Sequence, residues 1–355
     1  MPAAGVVTLI LVLVTAAALA AYLLRVALVL KRVNFTLATC RLARLSINPV
    51  DSSGVPLGRG TQMTLTKRDD VYLPSSTRHT SRREDGTFLF DGIQPGDYYL
   101  VVTTSARMEE AAYVNVSIHE ADVSLSVQTN TGAKVSGRIV VDGRPAAGGG
   151  ARSPNAVISS NRPLGTFGVS YAQVPPARVQ GTDRFELAGL RGPMVLFAEV
   201  AGGALLSIQR RGEEIAGKTL EFVGTETLDD VVVEFTTQVA QVDVTVTSAN
   251  ARGESEPVMV ILFAEDPKRW HQGFLQYTRT TASPVSDGAG APPSAITRLI
   301  RMAPGRYLIA AIHDIDVSYP TEVSVLEQLR PLAVPVTLVA GQTATVILGV
   351  AKVAR

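Results

Sequence analysis

The chain has 355 residues, room for two or three domains. Its 33 basic and 32 acidic side chains leave a formal net charge of +1, which gives no electrostatic case for nucleic acid or for an acidic substrate. A single cysteine, Cys40, excludes an internal disulfide framework and any multi-cysteine metal site, and reads as a small buried apolar residue.

Residues 5–30 are almost entirely apolar, with Arg25 the one charge among them. The uncharged run Gly5–Leu24 is long enough to span a bilayer as a helix. A signal peptide would begin with basic residues and end at a small-residue site such as Ala18-Leu19-Ala20. The start MPAAG has no basic side chain and the apolar run continues past that site, so an uncleaved membrane anchor over residues 1–33 is the better fit. A third reading is that these residues are a misplaced start of a longer protein. Arg25, Lys31 and Arg32 follow the span, and the positive-inside rule then predicts a cytoplasmic remainder.

A first module is expected over residues 34–130. Strands are predicted at Leu42–Ile47 and Thr61–Thr66, followed by a basic, solvated loop from Lys67 to Glu84. The stretch Gly86–Val102, GTFLFDGIQPGDYYLVV, is its centre. Phe88 and Phe90 alternate with polar or outward positions, as in a strand with one face on a core. Gly92 breaks the ladder, and Pro95-Gly96 turns the chain. Tyr98, Leu100 and Val102 then line the next strand, where a tyrosine just past a sandwich corner commonly ties its hydroxyl to nearby backbone. Alternating strands at Val114–Ile118 and Val123–Val127 close the module.

The phrase returns at Asp183–Glu199, DRFELAGLRGPMVLFAE, with Phe185, Leu187, Gly189, Leu190 and Gly192 in matching places. It returns again at Arg301–Ala311, RMAPGRYLIAA, with Met302, Pro304, Gly305 and Tyr307. Copies about a hundred residues apart indicate small domains rather than a solenoid. A second module is therefore expected over residues 131–237 and a third over residues 238–355. In the second, Asp142-Gly143 is a hairpin signal and Pro145–Pro154 a mobile loop. Met194 stands where the other copies have tyrosine and Pro193 follows Gly192, which predicts a looser corner without a hydroxyl tie. In the third, Val242, Val244 and Val246 alternate, and the apolar run Val258–Phe263 reads as a strand at a sheet centre. The repeat near Ile296 lacks the corner glycine, which leaves its register open. Ser324–Leu329 has helix formers, and Pro335–Ala340 with Thr343–Leu348 is expected to end the fold as a hairpin.

The run ending in PGDYYL resembles the carboxypeptidase regulatory-like domain, a transthyretin-like β-sandwich of the carbohydrate-binding-like fold class. So do AKVSGRIVVDGRPA (Ala133–Ala146), SIQRRGEEIAGKTLEF (Ser207–Phe222), FAEDPKRW (Phe263–Trp270) and VTLVAGQTATVIL (Val336–Leu348), in that order. The likeness covers about residues 36 to 350 and is to bacterial proteins built of such modules in tandem. It implies all-β modules working outside the cytoplasm, in conflict with the positive-inside expectation, and it does not imply peptidase activity.

Zinc-peptidase chemistry needs His or Glu ligands at helical spacing. None of His79, His119, His271 or His313 has a His or Glu three or four residues away. His313, Asp314 and Asp316 read as a solvated strand end, and the acidic pairs Glu265-Asp266, Asp229-Asp230 and Glu213-Glu214 supply too few oxygens for calcium. There is no phosphate loop opening a helix, no nucleophile elbow, and no repeated Lys, Asn and Glu set for an isopeptide crosslink. One stretch has a binding character, Asp266–Arg279, where the sole tryptophan, Trp270, lies near Lys268, Arg269, His271 and Tyr277. An exposed indole among such groups stacks on a sugar ring; a buried one caps the core of its sandwich, the commoner fate of large aromatics.

The sequence thus predicts an all-β protein of three tandem transthyretin-like β-sandwiches after one transmembrane helix. It is expected to be no enzyme and to need no cofactor and no metal. Its expected partners are the membrane, through the N-terminal helix, and a glycan or an envelope protein. The expected role is binding or spacing at a bacterial cell envelope, with regulation of an envelope peptidase or transport system as the alternative.

Overall fold

The structure is a computed structural model that describes residues 41–68, 78–105, 109–146, 155–163, 174–179, 182–247, 256–271, 274–282, 294–313 and 322–351. The expected membrane anchor and Cys40 lie outside the described residues. Among those described, no helix is long and apolar enough to cross a membrane. The described residues are mostly strand, with one short α-helix among them, Val323–Leu329, where the helix formers stand.

Three hydrophobic cores follow one another along the chain. The first gathers residues between Ala43 and Val127, the second residues between Ala133 and Phe235, and the third residues between Ala240 and Leu348 together with Ala204. Each core is enclosed by strands whose apolar residues alternate. Ala240–Thr247 is the plainest case: Ala240, Val242, Val244 and Val246 are buried while the residues between them are half-exposed.

The same sheet recurs in all three. The opening strand, Ala43–Val50, Ala133–Val141 or Ala240–Thr247, lies between two partners. On one side it pairs antiparallel with the strand leading into the corner, Phe88–Ile93, Arg184–Leu190 or Ser294–Met302. On the other it pairs parallel with the module's closing strand, Val123–Gln128, Thr227–Thr236 or Thr343–Ala351. A buried alanine opens each first strand and faces the corner's apolar residue: Ala43 with Ile93, Ala133 with Leu190, Ala240 with Met302. Beside each pair the register slips, the mark of a β-bulge. The bulged residue takes a left-handed backbone: Gly92 at φ 66°, Gly189 at φ 88°, and Arg301 at φ 59°. Arg301 therefore fills the place of the glycine missing from the third copy, and the register is the same in all three.

Strand Glu256–Ala264 runs at a sheet centre between Leu275–Ala282 and Gly305–His313, and Val258–Phe263 are fully buried, as their unbroken apolarity predicts. Asp142-Gly143 makes the expected hairpin, with Arg144–Pro145 folding back on Val140 and Val141. Two expectations need correction. The segment Lys67–Glu84 is not all loop, because Arg78–His79 and Ser81–Arg82 each pair with a strand. The terminal segments do not form a hairpin. Val334–Leu338 pairs with Gly305–His313, whereas Thr343–Ala351 takes the parallel place beside Ala240–Thr247 that the closing strand fills in the other two copies. The expected mobile loop at Pro145–Pro154 lies largely outside the described residues.

Candidate functional site

Two of the three corners are locked by tyrosine. The Tyr98 hydroxyl donates to the carbonyl of Gln94 at 2.8 Å, and the Tyr307 hydroxyl donates to that of Ala303 at 2.9 Å. Both rings are buried, and both bonds span four residues back across Pro-Gly. Burial pushes the Tyr307 phenol up to about 12, against a small opposing effect of the Arg269 charge.

A hollow of about 330 Å³ opens beside the third corner, lined in part by Glu265, Asp266, Arg269, Phe274, Arg306 and Tyr307. Asp266 caps a short 3₁₀ turn, Pro267–Arg269, by accepting from the Lys268 backbone N–H at 3.0 Å, and Pro267 presets its first backbone angle. The turn throws Trp270 inward. Its indole is 8% exposed, donates Nε1–H to the carbonyl of Ala264 at 2.7 Å, and meets Phe263 edge-on at 5.7 Å. The ring thus caps the core of the third sandwich and offers no free face for stacking. Arg269 alone of the five predicted binding residues lines the hollow, its guanidinium 4.8 Å from the centre of the Phe274 ring. Lys268 is exposed on the turn, and Tyr277 lies on the neighbouring strand opposite Ile261. His271 packs edge-on to Phe274 and lies against Gly217 of the second core's segment. Asp314 and Asp316 fall outside the described residues.

The corner without tyrosine is built differently from expectation. It is not slack: Arg191, in the place of Gln94 and Ala303, reaches out of the second sandwich into the first. Its guanidinium donates to the carbonyls of Gly189 at 3.0 Å, Glu109 at 2.8 Å and Asn130 at 2.6 Å. Burial holds the guanidinium's pKa below its ordinary value, opposed by the negative charge of Glu110. Glu110 is itself buried and accepts from Ser52 and Thr129 hydroxyls at 2.7 and 2.8 Å. Next to Arg191, Gly192 has φ 68° and lies so close to the face of Tyr113 that a Cβ there would stand 2.8 Å from the ring. The tyrosine-free corner is thereby the docking point of one sandwich on the next. Sequence reasoning missed this site, although an arginine where the other copies carry an uncharged residue was visible.

No protein-family model matches the chain, and comparison with curated proteins finds no match. Among solved structures the chain is similar to the TIE protein of Bacillus anthracis, at 12% identity over 87% of this chain and 50% of that one, with a TM-score of 0.22. It is similar to a streptococcal ancillary pilin at 11% identity, over 87% of this chain and 99% of that one, with a TM-score of 0.25. It is also similar to GBS52, the minor pilin of Streptococcus agalactiae, at 12% identity over 55% and 95%, with a TM-score of 0.29. The chain spans half the length of the TIE protein.

Proposed function

We propose that this chain is a non-catalytic array of β-sandwiches that works at a bacterial cell envelope, holding its modules at fixed mutual angles and presenting their outer faces for binding. One observation carries the reading: the joints have no slack. The connectors are only residues 129–132 and 237–239, and each is hydrogen-bonded to the sandwich on either side. On the first, Asn130 pairs with Ala111 and accepts from Arg191. On the second, the Thr237 hydroxyl donates to Asp142 of the second sandwich, and the Val239 carbonyl accepts from the Gly341 N–H of the third at 3.1 Å. A tether that merely links domains has no use for such ties, since a few polar residues left in water would serve. The envelope location and a glycan or envelope-protein partner come from the resemblance to carboxypeptidase regulatory-like modules, as does the orientation of the anchor.

Small-angle scattering tests the joint. The wild type should fit one arrangement of modules, and Arg191→Ala should raise the radius of gyration and demand an ensemble. A wild type that already needs an ensemble sinks the reading. Protease accessibility on intact against lysed cells tests the location, with cleavage in intact cells expected.

A further inference from the structure

The second sandwich carries an open cleft of about 1000 Å³ across the outer face of its first sheet. At one end Arg138 and Arg184 stand directly opposite each other on antiparallel strands. The Ile139 N–H donates to the carbonyl of Asp183 at 2.6 Å. The neighbouring pair is thus the hydrogen-bonded one, and the two arginines form the close kind of pair, about 4.5 Å between Cα atoms. Like charges so placed destabilise a sheet. Among the described residues neither guanidinium has a carboxylate partner, whereas the other charged side chains around the cleft each have a polar one. Glu186 is paired with Lys134 at 3.1 Å, and Asp230 stands 3.9 Å from Arg211. Asp229 accepts from the Ser136 hydroxyl at 2.9 Å.

We propose that this cleft binds a hydroxyl-rich carboxylate, a uronate unit of an acidic glycan strand. The two planar guanidiniums form a double fork that matches one carboxylate group. Ser136, Glu186 and Asp229 lie beside them as acceptors for hydroxyls. The cleft's three carboxylates, Glu186, Asp229 and Asp230, repel a densely charged polymer, so one charge per unit among neutral hydroxyls fits better than a polyphosphate or a nucleic acid. This site is independent of the fixed joints, and its failure would leave that reading untouched.

Titration calorimetry of the full chain at low ionic strength tests it, with trigalacturonate, a neutral trisaccharide and inorganic triphosphate as probes. Trigalacturonate should bind once per chain and at least tenfold more tightly than either other probe. Arg184→Gln and Arg138→Gln should each weaken it tenfold or more, while Arg298→Gln, in the third sandwich, should not. Because each change relieves a repulsion, Tm should stay level or rise, which separates lost binding from lost fold. No uronate binding by the wild type, unchanged binding by Arg184→Gln, a lowered Tm in both cleft variants, or tighter binding of triphosphate would each overturn the proposal.

Discussion

A phenol is a costly group to bury, and the chain uses it at two corners where its hydroxyl finds a carbonyl four residues back. Tyr307→Phe keeps the ring in the core and leaves the Ala303 carbonyl without that donor, so thermal or urea unfolding should show a loss of about 1–2 kcal/mol. The phenol also sets an alkaline limit. Its folded pKa of about 12 lies above the ordinary value of 10, so its contribution is fully present below pH 10 and is lost as pH rises towards 12. The loss amounts to roughly 2–3 kcal/mol at 1.36 kcal/mol per unit, and Tyr307→Phe should flatten that part of the stability profile. Arg301 offers the opposite case. It holds φ 59° where its two counterparts are glycines, and a left-handed backbone costs a residue with a Cβ about 1–2 kcal/mol. Part of that is offset by glycine's larger unfolded-state entropy, so Arg301→Gly should stabilise by roughly 0.5 kcal/mol. A lower urea midpoint would contradict the shared bulge. The glycines and prolines of the corners were legible in sequence because their backbone angles admit few other residues. The burial of Trp270 was the commoner of its two readings; the local signal left unread was Asp266-Pro267, where a capping carboxylate followed by a proline starts a turn and so aims the indole.

At the scale of elements, alternation located the strands around the corners but not Ala156–Asn161, Ala204–Arg210 or Leu275–Ala282, and it could not say which strand pairs with which. The pair Val334–Leu338 and Thr343–Ala351 illustrates this. A short gap with a glycine suggests a hairpin, yet the opening strand needs a parallel partner on its free side, and only the closing strand is left to supply it. That requirement is global and leaves no local trace. The second corner was misjudged for a related reason. The missing tyrosine pointed to a loose turn, whereas the groups that secure it, Tyr113 and the carbonyls of Glu109 and Asn130, belong to the preceding sandwich. Gly192→Ala tests that packing. Its Cβ would strike the Tyr113 ring from a left-handed backbone position, so a loss of about 1–3 kcal/mol is expected. The loss should shrink when Tyr113→Ala removes the ring, and an additive double-mutant cycle would show that the two do not meet in solution.

At the scale of the chain, three separate cores would ordinarily melt as three units, since domains joined by tethers unfold independently. Here the second sandwich also touches the third core. Ala204 is counted among its buried residues and Leu206 packs against it. On the same side Gly217, at φ 72°, lies so close to His271 that an added Cβ would stand 2.5 Å from that side chain. The repeats made the cores visible in sequence, but these contacts join unlike residues from distant segments and carry no period. Their consequence is a shared transition. Differential scanning calorimetry of the wild type should give one endotherm whose calorimetric and van't Hoff enthalpies agree more closely than three independent units allow. Gly217→Val adds a branched side chain where there is neither room nor a permitted backbone, and should shear the third core from the second. Arg191→Ala should release the first in the same way. Each should split the endotherm while leaving the far-UV strand signal intact at low temperature. Three resolved transitions in the wild type would mean that the joints transmit no stability between neighbours.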